Sequence, residues 1–106
     1  MNRLMTQKVR KALPPLHSTE AQKEKVCSVK YFTPDSNWTW YAVEFDGDDT
    51  FFGYVEGVES EWGYFRLSEL ERVRGPMGLK VERDVYFSAM VIDATGNRRQ
   101  IAEQTV

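Results

Sequence analysis

Histidine and cysteine occur once each in this 106-residue chain, as His17 and Cys27. A nucleophilic pair needs a thiol or hydroxyl held beside a general base. His17 lies in a proline-bounded connector, and Cys27 opens an apolar strand where a free cysteine behaves as a small buried hydrophobe. The sequence therefore assigns no catalytic residue, and an enzyme is not the expectation. Zinc is excluded too, because one cysteine and one histidine cannot fill its ligand set. The hard oxygens of Glu44, Asp46, Asp48 and Asp49 suit Mg²⁺ or Ca²⁺. The calcium-loop pattern nevertheless fails, since its central glycine falls on Phe51 and its closing glutamate on Gly57. A hairpin tip is the simpler account, with no metal and no cofactor. Gly75-Pro76-Met77-Gly78 lacks the lysine and the strand-to-helix setting of a phosphate loop.

Charge is more informative than these single residues. The net charge is −2, yet residues 1–30 carry +5, residues 35–71 carry −9 and residues 72–106 carry +2. Blocks of this kind set long-range fields and partner choice without specifying a fold. Trp38 and Trp40 flank a polar turn inside the acidic block, and exposed indoles anchor protein interfaces. These features predict a non-catalytic protein-interaction domain that docks an acidic-aromatic surface on a protein partner. Its surface would comprise Trp38, Trp40, Asp46, Asp48 and Asp49, with Glu59 and Glu61 at the rim. A nucleic-acid mimic that inhibits a host defence nuclease is one form of this reading, by electrostatic complementarity to a basic channel. The alternative is a single-stranded nucleic-acid binder using Arg3, Lys8, Arg10 and Lys11 with exposed aromatics. Against it, the aromatic strands lie in the acidic block, which repels a phosphate backbone.

The elements that must position these residues can be read from periodicity and turn chemistry. Met1, Met5, Val9 and Leu13 recur every four residues, predicting a helix over 2–12, capped by Asn2 and stopped by Pro14-Pro15. Strands are expected over Val26–Phe32, Trp38–Phe45, Thr50–Glu56 and Trp62–Arg66, with Tyr41, Val43 and Phe45 sharing one face. Gly47 permits the tight Asp46–Asp49 hairpin. Ser68-Glu69-Leu70-Glu71 reads as a capping box opening a two-turn helix, which Gly75 would end in the left-handed conformation. Leu79–Phe87 reads as the last core strand, with a weakly paired tail beyond. The expected fold is α+β and mainly β: a curled five-stranded antiparallel sheet in the order of an SH3-like barrel. An N-terminal helix precedes it, and a short helix stands before the last strand.

Size bounds the rest. The length suits one domain over 1–106: helix and connector to residue 24, a β-rich core over 25–88, and a tail over 89–106. No apolar run approaches the roughly 18 residues of a membrane span. The N-terminus has no continuous apolar core, so it is not read as a signal peptide, and a lone cysteine fits a reducing cytoplasm.

Several strings form a familiar set: Leu13-Pro14-Pro15-Leu16, the run KYFTPDSNWTWY from Lys30 to Tyr41, and Glu44-Phe45-Asp46-Gly47. Gly63-Tyr64-Phe65, Leu67-Ser68-Glu69-Leu70, Arg74-Gly75-Pro76-Met77-Gly78-Leu79 and Glu82-Arg83-Asp84 continue it. Together they resemble a bacterial domain-of-unknown-function family, number 2958, over about residues 13 to 87. His17-Ser18 departs from that pattern, where an aromatic and Ala are usual. The resemblance implies a cytoplasmic, mobile-element setting on plasmids or integrative conjugative elements. It implies no activity and no catalytic residue.

Overall fold

The structure is a computed structural model that describes residues 3–101. The elements are α1 (Gln7–Ala12), β1 (Glu24–Cys27), β2 (Val29–Phe32), β3 (Thr39–Phe45), β4 (Thr50–Glu56) and β5 (Ser60–Arg66). They continue with α2 (Leu67–Arg72), β6 (Glu82–Arg83), β7 (Met90–Asp93) and β8 (Arg98–Gln100). Antiparallel pairing gives a five-stranded sheet in the order β5-β4-β3-β2-β6 and a three-stranded sheet in the order β1-β7-β8. The mainly-β architecture with its two helices is as expected. The larger sheet does not close into a barrel, and β5 and β6 are its edges.

Both faces of the larger sheet are covered. On one, Tyr31, Trp40, Ala42, Phe45, Phe51 and Phe65 pack against Val9 and Leu13 of the α1 segment and Leu70 of α2. On the other, Tyr41, Val43 and Tyr54 pack against Cys27 of β1 and Ile92 of β7. The register of β3 against β4 slips between Ala42 and Glu44. Such a bulge turns the following residues to the opposite face. Phe45 therefore joins Trp40 and Ala42 rather than Tyr41 and Val43, correcting the face predicted from simple alternation.

Both helices are placed by caps different from those expected. Asn2 lies outside the described residues, and Thr6 caps α1 instead, its hydroxyl accepting from the Val9 N–H at 3.1 Å. Ser68 does not open α2. Its N–H and hydroxyl donate to the Asp49 carboxylate at 2.8 and 2.7 Å, and the Leu67 N–H donates to the Asp49 carbonyl at 2.8 Å. The Glu69 carboxylate accepts from the Arg66 N–H at 3.1 Å. The first free N–H groups of α2 are thus satisfied from the β3–β4 hairpin, which fixes helix to sheet.

The C-terminal third departs most. Of the strand predicted over Leu79–Phe87 only Glu82–Arg83 pairs with β2, and Lys80 makes an isolated bridge to Arg74. Asp84 breaks it, its carboxylate accepting from the Tyr86 N–H at 3.0 Å and its carbonyl from the Phe87 N–H at 3.2 Å. The following β7 and β8, read as tail, form two of the three strands of the second sheet. Likewise the strand predicted over Val26–Phe32 divides at Ser28 between the two sheets, though the Ser28 N–H still donates to Ala42 at 3.2 Å.

Glu44 is only 2% exposed, the consequence of standing just beyond the bulge. Its carboxylate accepts from the N–H groups of His17 at 2.8 Å and Thr19 at 3.0 Å, and from the Thr19 hydroxyl. Burial opposes the charge, but these donors and the nearby Lys25 ammonium outweigh it and hold the carboxyl below the usual glutamate range. A carboxylate depressed on folding stabilises the fold above its unfolded pKa, and the benefit is lost as pH falls through the folded value. Stability should therefore decline on acidification below about pH 4.5, the ordinary glutamate value. Glu44→Gln is expected to cost about 2 kcal/mol at neutral pH. Thermal melts from pH 7 to pH 3 check this: the variant should melt lower at neutral pH and lose less on acidification. Asp49→Ala should likewise lower Tm by uncapping α2, whereas Asp48→Ala, at the exposed hairpin tip, should leave it unchanged in the same assay.

Candidate functional site

The Thr33–Asn37 turn delivers Trp38 to the mouth of a cleft. Thr33 closes the turn by donating its N–H to the Trp38 carbonyl at 3.1 Å and accepting from the Ser36 N–H at 3.3 Å. Asp35 reaches out of the turn to the segment after α2, accepting from the N–H groups of Met77 at 2.7 Å and Leu79 at 3.4 Å. That segment folds back on itself: the Gly75 N–H donates to Leu79 and the Gly78 N–H to Gly75, both at 2.9 Å. Gly78, not Gly75, takes the left-handed conformation, at φ +81°. Gly75 is needed for a different reason, because a Cβ there would stand 1.5 Å from the Asp35 carboxylate. The left-handed conformation expected at Gly75 is thus taken three residues further on.

The two indoles separate. Trp40 is 7% exposed and belongs to the core, which corrects its expected place on the surface. Trp38 is 41% exposed and stacks on Trp40, with ring centroids 5.9 Å apart and planes inclined by 27°. Gly57 makes room for it, since a Cβ there would meet the indole at 2.4 Å. Thr33, Ser36, Trp38, Trp40 and the 73–76 segment enclose a cleft of about 350 Å³, the scale of a small-molecule or side-chain pocket. Exposed Met77, Leu79 and Val58 extend the apolar character along the 77–79 segment and beside Gly57. On the same face Trp40 stands opposite Val55, and Val55 opposite Glu61. At the usual inter-strand spacing this row puts Glu61 about 10 Å from Trp40.

The carboxylates do not form one patch. Asp46, Asp48 and Asp49 lie at the β3–β4 hairpin, while Glu59 and Glu61 lie at the far end of β4, beside the β4–β5 turn. A seven-residue strand separates the two groups by roughly 20 Å. Two of the three aspartates are committed to the chain itself. Asp46 accepts from the N–H groups of Asp48, Asp49 and Thr50 at 2.8, 2.9 and 3.1 Å. Slight burial works against its charge, but the three donors prevail and hold its carboxyl below the usual aspartate range. The Ser68 hydroxyl and N–H do the same for Asp49. Asp48, Glu59 and Glu61 are exposed. Glu56, also in the acidic block, pairs with Arg98.

The basic residues of the alternative reading are spread from the β3–β4 hairpin to β6. Arg10 donates to the Gly47 carbonyl and lies 5.4 Å from the Phe45 ring centroid. Lys8 and Lys11 are exposed on α1, and the Arg3 carbonyl accepts from Arg83 at 2.9 Å. Trp38 stands at the other end of β3. Cys27 is fully buried; desolvation pushes its thiol up to about 12 against the opposing charge of Arg98, so it is not a thiolate at neutral pH. His17 is exposed and pairs with Glu20 at 2.6 Å. Among the described residues no group of three or more His, Cys, Asp or Glu side chains is placed to hold a metal ion. No helix among them is long and apolar enough to cross a membrane.

The Asp35–Gly75 contact was beyond sequence reasoning. The strings around it, KYFTPDSNWTWY and RGPMGL, were nevertheless among those that carried the family resemblance, and the cleft is where they meet. No curated protein and no solved structure matches the chain. A family model described as a protein of unknown function, DUF2958, matches residues 4–94, extending past the resemblance at both ends to take in α1 and β7. With most of its length covered by that model, the chain belongs to the DUF2958 family.

Proposed function

We propose that this chain is a non-catalytic protein-interaction domain whose docking surface is the Trp38 cleft. The observation that carries the reading is the half-exposed Trp38 stacked on buried Trp40 over Gly57. A large aromatic already fixed by a core residue loses little freedom on binding, which is the character of an interface anchor. Met77, Leu79 and Val58 supply apolar surface around it, and Glu59 and Glu61 supply a polar rim of negative sign. The partner complementary to this surface is a protein presenting an apolar side chain flanked by Lys or Arg. The mobile-element and cytoplasmic setting implied by the family resemblance would make that partner a host or element-encoded protein.

Mimicry of nucleic acid needs one continuous run of negative charge, so the split of the carboxylates favours docking at the aromatic cleft over that form. The nucleic-acid alternative needs cations beside the exposed ring. Here Arg10 is held at the Gly47 hairpin, at the opposite end of β3 from Trp38, and Arg74, which lines the cleft, donates to the carbonyls of Glu71 and Val73 at 3.0 and 2.9 Å.

Affinity capture from the native host, followed by binding measurements between the purified components, tests the proposal. Trp38→Ala should weaken the complex by about thirtyfold, the scale of an interface anchor, without altering the circular dichroism. Met77→Asp should weaken it as well, and Asp48→Lys should change it little. Binding indifferent to Trp38→Ala, or abolished by Asp48→Lys alone, overturns the cleft as the docking surface. Salt-sensitive retention of oligonucleotides, lost on replacing Lys8 and Lys11, would establish the alternative instead.

A further inference from the structure

The outer edge of β5 carries hydrogen-bonding groups whose positions follow from the pairing on its inner side. The Leu67 N–H donates to Asp49 at 2.8 Å, and the Gly57 N–H donates to Glu59 at 3.1 Å. Both contacts continue the register in which Thr50 opposes Arg66 and Glu56 opposes Ser60. Bonded and non-bonded pairs alternate along an antiparallel ladder. Glu61, Gly63 and Phe65 are thereby the residues bonded to β4, and Ser60, Trp62 and Tyr64 turn their N–H and C=O groups outward. Among the described residues, no backbone or side-chain hydrogen bond reaches these outward groups. A seven-residue edge with unpaired groups is a template for another strand.

We propose that this edge pairs with the same edge of a second copy, joining the two larger sheets across a twofold axis at Gly63. Antiparallel pairing with Gly63 opposite its counterpart sets Trp62 against Tyr64 of the second copy twice, both as bonded pairs that use the outward groups. It also sets Arg66 opposite Ser60 of the second copy, on the face that Trp62 and Tyr64 share. Each Trp62 thus meets a Tyr64 of the other copy on one face of the joined sheet, the self-complementarity an isologous contact requires. Tyr64, 58% exposed and edge-on to Phe52 at 5.1 Å, gains an aromatic neighbour.

Gly63 supports the same arrangement. A Cβ there would meet nothing within 4 Å, and its backbone is not left-handed, so the single chain gives no reason for glycine in the middle of a strand. Gly53 beside it differs, because a Cβ there would stand 1.9 Å from the Tyr41 carbonyl oxygen. Glycine within a strand commonly marks close approach by another backbone, and at the axis Gly63 would meet its counterpart as a non-bonded pair, the closer of the two pair types. One strand pair buries less surface than a permanent dimer, so the association is weak and concentration-dependent.

Sedimentation equilibrium from about 10 µM to about 1 mM, the range suited to a small interface, tests this. The wild type should shift from one chain mass to two, and Tyr64→Pro, which removes an outward N–H and no bond to β4, should stay at one. Should Tyr64→Pro fail to fold by circular dichroism, Tyr64→Lys provides the comparison, because an edge lysine also blocks pairing. The amides of Trp62 and Tyr64 should exchange with deuterium more slowly at the higher concentration. A wild type of one chain mass throughout, unchanged dimerisation in the folded Tyr64 variant, or concentration-independent exchange at the two amides overturns the proposal. So does edge protection that arises only when a foreign extended peptide is added.

Discussion

A single extra residue in β3, between Ala42 and Glu44, decides which face the end of the central strand presents. Without it, Phe45 would leave the aromatic group it forms with Phe51 at 4.6 Å, and that group is the floor on which α1 and α2 sit. With it, Glu44 is placed on the face of the smaller sheet, where a charge can persist only if it is paired or hydrogen-bonded. The 17–20 turn answers that need by aiming two N–H groups and a hydroxyl at the carboxylate. His17 adopts φ +71° in doing so, a conformation that non-glycine residues take only when surrounding contacts enforce it. The bulge thus sets both the helical face of the sheet and the path of the connector into β1.

The same economy governs the acidic hairpin. Net charge in this region reads as a binding surface, yet Asp46 shapes its own turn and Asp49 holds the start of α2. A carboxylate that accepts several backbone N–H groups is a structural part, and its charge is largely neutralised by the dipoles it receives. What remains outward of the negative block is Asp48 at one end, Glu59 with Glu61 at the other, and Glu69 and Glu71 on α2. Charge counted along a chain says how strong a field is, and only the fold says where it is directed.

Local chemistry made much of this fold legible in the sequence. The α1 stripe through Val9 and Leu13, the Gly47 hairpin and the strands flanking it depend on neighbours within a few residues, where periodicity and turn preference act. Three features did not yield to that reading, each fixed by partners far along the chain. The bulge at Val43 inverts the alternation by which Phe45 was placed. Asp49 caps a helix from 19 positions away, displacing the local Ser68 box. The smaller sheet joins β1 to β7 across more than sixty residues, and no local pattern marks that Val26 will oppose Val91. The candidate site was half legible for the same reason: Trp38 and Trp40 were singled out together, but which of them lies inside depends on Val73 and the glycine opposite Asp35.

That last contact explains why the cleft is a fixed feature rather than a gap between loops. The Asp35 carboxylate can bridge the β2–β3 turn to the Met77 and Leu79 N–H groups only because Gly75 offers no side chain where its oxygen lies. Turn and post-helix segment are thereby clamped together as walls of the cleft that Trp38 lines. The post-helix segment is anchored in turn by α2, α2 by Asp49, and the hairpin by the β3–β4 ladder that the bulge places in register. A ring held at the end of such a chain of contacts is oriented before any partner arrives, so little of the binding free energy is spent on ordering it. The bulge and the cleft stand at opposite ends of the sheet, yet the second derives its shape from the first through hydrogen bonds that each close at a named residue.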